Sequence, residues 1–203
     1  MSADQARAVR EFWFGRLPLT AGALEQRMQL WFGGEGPPKT QAARDELIRA
    51  RFGALVEQAE RGELDAWAGG PRRRLSLIIL TDQFPRNIYR GTARAFATDA
   101  RALQLSVTGM HSGADAALDA VERIFFYMPL QHAESLEMQE ESVAAYRRLK
   151  HEAPPELRAA FEGTLEYALE HRGVIERFGR FPARNRALGR ASTADELAFL
   201  GET

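Results

Sequence analysis

The chain has 203 residues, 45% of them hydrophobic and 27% charged, with a formal net charge of -1 at pH 7. That near-neutral balance argues against a general polyanion binder, and the absence of cysteine removes disulfides, thiol catalysis and thiolate metal sites. No run approaches the roughly 18 consecutive apolar residues of a membrane span, and residues 1–15 lack the apolar stretch of a signal peptide, so a soluble cytoplasmic protein is expected.

The periodicity is helical almost throughout. A first helix is expected from about Ala3 to Phe14, ending near Gly15, and a second from Ala21 to Phe32, stopped by Gly33-Gly34. After Pro37-Pro38, a long amphipathic helix puts Ile48, Phe52, Leu55, Val56 and Ala59 on one face and closes at Gly62. Gly69-Gly70-Pro71 introduces a helix from Arg72 to Phe84. Leu75, Leu77, Ile78, Ile79 and Leu80 make it apolar nearly all round, as a central buried helix should be, although a short strand over residues 77–80 is the competing reading. Thr98 is placed to cap a helix through Val107 that Gly109 stops, and a loop covers His111 to Gly113.

Three more helices follow: Ala114 to Met128, breaking at Pro129; Ala133 to His151, ending at Pro154-Pro155; and Glu156 to Phe178. Leu118, Val121, Phe125 and Met128 point inward in the first of these, and Leu157, Phe161, Leu165, Ala168 and Leu169 in the last. Thr193 with Glu196 forms a capping box for a short final helix ending near Leu200. Short connections marked by Gly and Pro imply an all-α, antiparallel helical array in a single domain over residues 1–203.

One phrase occurs twice. Phe84-Pro85-Arg86-Asn87 is followed by Arg90 and Arg94; Arg180-Phe181-Pro182 is followed by Arg184, Asn185 and Arg186. Proline disfavours helical geometry in the residue before it, so each phrase is expected to end a helix and to set guanidinium donors beside an aromatic ring. The charge is segregated: residues 71–101 and 172–190 each balance at +5, and residues 115–142 at -6. Mutual neutralisation within the fold is one explanation and a ligand-facing role is the other.

The first phrase, with Arg94-Ala95-Phe96-Ala97-Thr98-Asp99 after it, joins a wider pattern. Phe12-Trp13-Phe14-Gly15, Trp31-Phe32-Gly33, Phe125-Phe126-Tyr127-Met128-Pro129-Leu130-Gln131-His132 and Arg180-Phe181-Pro182 appear in order along the chain. The whole resembles the bacterial family called domain of unknown function 924. Ala133 departs from it, where serine is expected beside the histidine. The resemblance implies an all-helical, tetratricopeptide-like fold and brings no activity with it.

Two polar clusters carry candidate chemistry: Arg86, Asn87, Arg90 and Arg94, and Arg180, Arg184, Asn185 and Arg186. If they meet, they form a bidentate clamp for a carboxylate or phosphate; otherwise they cap helix ends and pair with Asp82, Asp99 or the acidic segment. Trp13, Trp31, Phe84 and Phe181 read as core. His132, at a break between helices, is a candidate general acid or base whose ring Asp82 or Glu134 could orient, or else a capping residue. His171, beside Glu170, ranks behind it.

The metal motifs of di-iron bundles and zincins are missing, and Asp115 and Asp119 form only half of a magnesium-diphosphate site. Glu162, Glu166 and Glu170 read as a solvated stripe. Gly33-Gly34-Glu35-Gly36 lacks the Lys-Ser/Thr of a phosphate loop, so no metal or cofactor is expected. Neither a membrane nor a nucleic acid is expected as partner. The leading expectation is a protein that binds an acidic small molecule or peptide carboxylate, with Asp82, Arg86, Asn87, Arg94, Glu134, Arg180, Arg184 and Asn185 around it. The alternatives are an enzyme with His132 as acid/base and a protein-protein scaffold.

Overall fold

A central helix apolar on every side must be covered on every side, and the computed structural model, which describes residues 2–32 and 38–201, is arranged that way. The chain is all-α, and no strand occurs among the described residues. Helix α1 spans Ser2–Phe14, α2 Ala21–Phe32, α3 Pro38–Glu60 and α4 Pro71–Ile78. Helix α4 packs against α1 and against the later helices α6 (Asp99–His111) and α7 (Ala120–Gln131). Leu75, Leu77, Ile78, Ile79 and Leu80 are completely buried, and all lie in helical backbone, which overturns the strand reading of residues 77–80. Burying a Leu or Ile side chain fully stabilises by about 1.5–3 kcal/mol each. The Ser76 hydroxyl, buried on the same helix, donates to the Ala6 carbonyl at 2.7 Å and fixes α4 against α1.

The expected helix end at Phe84-Pro85 is not there. Residues Ile79–Gln83 widen into a π-turn, closed by the Phe84 N–H on the Ile79 carbonyl, and α5 (Phe84–Ile88) continues through the proline. Proline has no N–H for the Thr81 carbonyl. The Thr98 hydroxyl supplies the donor instead, at 2.6 Å. Thr98 does precede α6, as expected, but its side chain serves this carbonyl rather than capping its own helix. The second phrase behaves as the sequence suggests. Helix α9 (Arg158–Phe178) ends at Gly179, whose φ of 69° is the left-handed conformation glycine adopts without strain, and Phe181 is extended before Pro182.

Gly109 does not stop α6, which runs on to His111. The glycine is there because a Cβ would collide with the Phe126 ring and the Arg74 side chain. The Pro129 break is likewise displaced, since α7 starts at an Asp119–Glu122 capping box and persists through the proline to Gln131. Ser106 donates to the Phe126 carbonyl, one turn before Pro129, at 2.5 Å. Proline near a helix C-terminus removes a single ladder bond, and the surrounding packing tolerates that loss.

Helix α8 (Leu136–Glu152), capped by Ser135, packs between α7 and α9 through short connections. On α9, Phe161 and Ala168 are buried, but Leu169 is exposed, contrary to expectation. After α10 (Asn185–Leu188), the expected Thr193–Glu196 capping box starts α11 (Ala194–Leu200). The stop expected at Gly33-Gly34 and the glycine run to Gly36 lie outside the described residues. Among the described residues, no helix is long and apolar enough to cross a membrane.

Candidate functional site

The two Phe-Pro phrases meet around one carboxylate. Asp99, at the start of α6, accepts two hydrogen bonds from Arg86, both at 2.8 Å, and a third from Arg184 at 3.2 Å. Both guanidiniums lie over the Phe96 ring, 5.5 and 4.9 Å from its centroid. Arg86 also donates to the Asp82 carbonyl at 2.7 Å, and Arg184 to the His132 carbonyl at 2.9 Å. The donors that a ligand clamp would need are therefore engaged within the fold.

Arg90, Arg94, Arg180 and Asn185 are engaged in the same way, Arg90 by Asp45 at 2.8 Å. Arg94 holds Glu60 at 2.8 Å, and Arg180 grips Glu196 at 2.6 and 2.8 Å. Asn185 is shared between Arg190, Ser192 and Glu196. Glu134 accepts from the Phe181 N–H at 2.8 Å and from Arg190 at 2.7 and 2.9 Å. The expectation of an arginine-lined clamp built from both phrases is thus corrected in one respect: the guanidiniums of Arg86, Arg94, Arg180 and Arg184 already face carboxylates of their own chain. The acidic pair Asp115 and Asp119 divides too, with Asp115 accepting from the Tyr127 hydroxyl at 2.6 Å and Asp119 capping α7. No cluster of three or more potential metal ligands occurs among the described residues.

What these contacts build is a rigid mount for His132. It sits one residue past α7, where Gln139 donates to the Gln131 and Ala133 carbonyls at 2.7 and 2.8 Å and pins the backbone on both sides. Arg184 holds the His132 carbonyl, and Glu134 ties the same loop to the second phrase. The His132 ring meets Asp82, on the π-turn, with Nδ1 2.7 Å from Oδ1. Asp82 is fully buried, and Gln83 donates to its other oxygen at 2.5 Å. Burial alone would raise the Asp82 pKa; the charge of Arg86, with the hydrogen bonds from His132 and Gln83, outweighs it and holds the carboxyl well below its usual range. Burial pushes His132 down and Arg86 adds to this, against the opposing pull of Asp82, so the imidazole is neutral.

His132 opens on a cavity of about 560 Å³. Trp13, Met28, Trp31 and Phe32 form its apolar wall, and Gln83, Asn87, His132 and His171 contribute to its polar side. The Trp31 ring is braced on Phe125, with centroids 4.6 Å apart. Of the polar residues named from the sequence, Arg86, Asn87, Arg90, His132 and His171 line this cavity, and Asp82 reaches it through His132. Arg94, Glu134, Arg180, Arg184 and Asn185 do not line it. Sequence reasoning passed over Gln83, although it stands immediately before the first Phe-Pro phrase, and ranked His171 too low. His171 comes within 6.5 Å of His132, centroid to centroid, only because α9 packs beside the end of α7.

A solved structure described as a protein of unknown function, ATU0120, from Agrobacterium tumefaciens is 34% identical, matches over 98% of each chain and superposes with a TM-score of 0.80. Among curated proteins, none matches significantly. The profile of the family described as bacterial protein of unknown function (DUF924) matches residues 9–203, and the chain belongs to that family.

Proposed function

We propose that this protein is an enzyme acting on a small organic molecule held in the cavity, with His132 as general base and Asp82 as its positioning residue. One observation carries the reading: a neutral imidazole, hydrogen-bonded through Nδ1 to a buried ionised carboxylate at 2.7 Å, stands at a cavity of drug-like size. With Nδ1–H given to Asp82, the Nε2 lone pair is the proton acceptor. A proton leaving the ligand moves to Nε2, its electron pair stays on the ligand, and Asp82 stabilises the imidazolium that forms.

The test begins with a fragment screen by NMR on the full chain, reading the resonances of His132, Gln83 and His171. Bound compounds are then incubated with wild type and His132→Gln and followed by mass spectrometry. The expected outcome is turnover in wild type that falls by about 100-fold or more in His132→Gln, with binding nearly kept. Equal turnover in the variant would remove His132 from the mechanism. A diverse screen with no compound perturbing the cavity would remove the small-molecule reading altogether.

A further inference from the structure

Two guanidiniums of the cavity lining, those of Arg44 and Arg90, have one carboxylate between them. Arg90, just past α5, grips Asp45 with Nε and Nη2 at 2.8 and 3.1 Å. Arg94 and Arg180 close the same edge of the guanidinium on Glu60 and Glu196. Arg44, on α3, belongs to neither repeated phrase and is anchored differently: its Nη1 donates to the Leu30 carbonyl near the end of α2. Its Nε–Nη2 edge, the one the other arginines close on carboxylates, has no partner among the described residues.

The other charges around the cavity balance. Arg86 and Arg184 are offset by Asp82 and Asp99, and His132 and His171 are neutral. Among the described residues, Arg44, Arg90 and Asp45 leave one positive charge in surplus. Burial presses the Arg44 pKa below its ordinary value, Asp45 pulls it up and Arg90 presses it down. A guanidinium so placed keeps its proton at neutral pH.

The lining is also short of acceptors. Three N–H groups on its residues are buried with none: Arg44 Nε, Trp13 Nε1 and Gln131 Nε2. No buried side-chain oxygen of the lining is left unpartnered in the same way. His132, mounted past α7, has the opposite character, with the lone pair assigned above to Nε2. The cavity therefore offers a cation from α3 and a proton acceptor from the end of α7, with Met28, Trp31 and Phe32 of α2 as an apolar wall.

Resting on the enzyme reading above, we propose that the substrate is a monocarboxylate on an aromatic or apolar body, its carboxylate held by the Nε–Nη2 edge of Arg44 with Arg90 beside it. One negative charge matches the surplus, and the planar pair of oxygens matches the fork. A phosphate monoester dianion brings a second charge for which the lining has no spare cation, and a carboxamide leaves the surplus unmet. A carboxyl group is already ionised at neutral pH, so the proton that His132 accepts comes from a second group of the same molecule.

The probes are naphthylacetate, naphthylacetamide and naphthylmethyl phosphate, titrated into the full chain with the tryptophan N–H and imidazole resonances as readout. The carboxylate should bind about tenfold or more tighter than the amide, and tighter than the phosphate. Arg44→Gln, shown to be folded by its thermal transition, should lose that preference and bind the amide as wild type does. Arg44→Lys, which keeps the charge without the fork, should retain only part of it and serves as the second variant. Arg94→Gln, which removes a guanidinium outside the cavity, should leave the preference intact. Binding of the amide or the phosphate as tight as that of the carboxylate, or a carboxylate preference that survives in Arg44→Gln, would overturn the carboxylate assignment while the cavity reading stands. If none of the three probes shifts a resonance, the carboxylate assignment falls with this test; the wider fragment screen then decides the cavity reading separately.

Discussion

Replacing Asp99 with alanine removes the one carboxylate on which the two repeated phrases converge. Its side chain and that of Arg86 are each 19% exposed, and Arg184 is 13% exposed, so all three partners are largely out of water. Removing one member of a buried ion pair leaves the other charge uncompensated, which typically costs about 3–5 kcal/mol. Asp99 also sits in the first turn of α6, where a negative charge contributes about 0.3–1 kcal/mol through the helix dipole. The lower end of the combined range is expected, because Arg86 keeps Asp82, 3.2 Å away, as a second counter-charge. A loss of about 3 kcal/mol lowers the melting temperature by roughly 6–12 °C in a domain of this size. Urea unfolding of wild type, Asp99→Ala and Asp99→Asn gives the free energies, and the midpoint shift at constant slope gives the difference. A loss below about 1 kcal/mol for Asp99→Ala would put this bridge among ordinary surface pairs and refute its role as the junction of the two phrases.

Two further outcomes follow from the same contacts. Burial holds the His171 pKa at about 4, with His132, Arg184 and Arg86 nearby pressing in the same direction. The unfolded chain therefore binds more protons below the ordinary value of 6.5, and stability should fall between that pH and about 4, by up to about 3 kcal/mol from this residue. Urea midpoints measured down the pH scale should show that slope, and His171→Gln should flatten it; identical slopes in the two proteins would contradict the burial argument. Thr98→Val leaves the Thr81 carbonyl without a donor, since Pro85 has none to give, and should lose about 1–3 kcal/mol. Pro85→Ala in that background restores an N–H at the right place and should recover part of the loss; a Thr98→Val protein as stable as wild type would show that the carbonyl is satisfied by other means.

The sequence by itself determined the helical class, most helix starts and stops, and much of the core. Those follow from local rules: the 3.6-residue period buries Ile48, Phe52, Val56 and Ala59 together, the Thr193–Glu196 spacing makes a cap, and Gly179 ends a helix. Local rules failed where a distant group supplied what the backbone lacked. Helix α5 survives Pro85 because the Thr98 hydroxyl reaches the orphaned Thr81 carbonyl, and Gly109 lies inside α6 because Phe126 occupies the space of its side chain. The repeated arginines were legible as a cluster, but not as a mount. Whether a guanidinium faces a ligand or a carboxylate of its own chain depends on which helices adjoin, and Asp99 meets Arg184 across 85 residues of sequence. Only the tertiary packing placed Asp82 under His132, brought His171 beside it and closed Trp13 and Trp31 over the same cavity. The orientation of the His132 ring is a property of that arrangement, since the side chain that holds its Nδ1 lies 50 positions away.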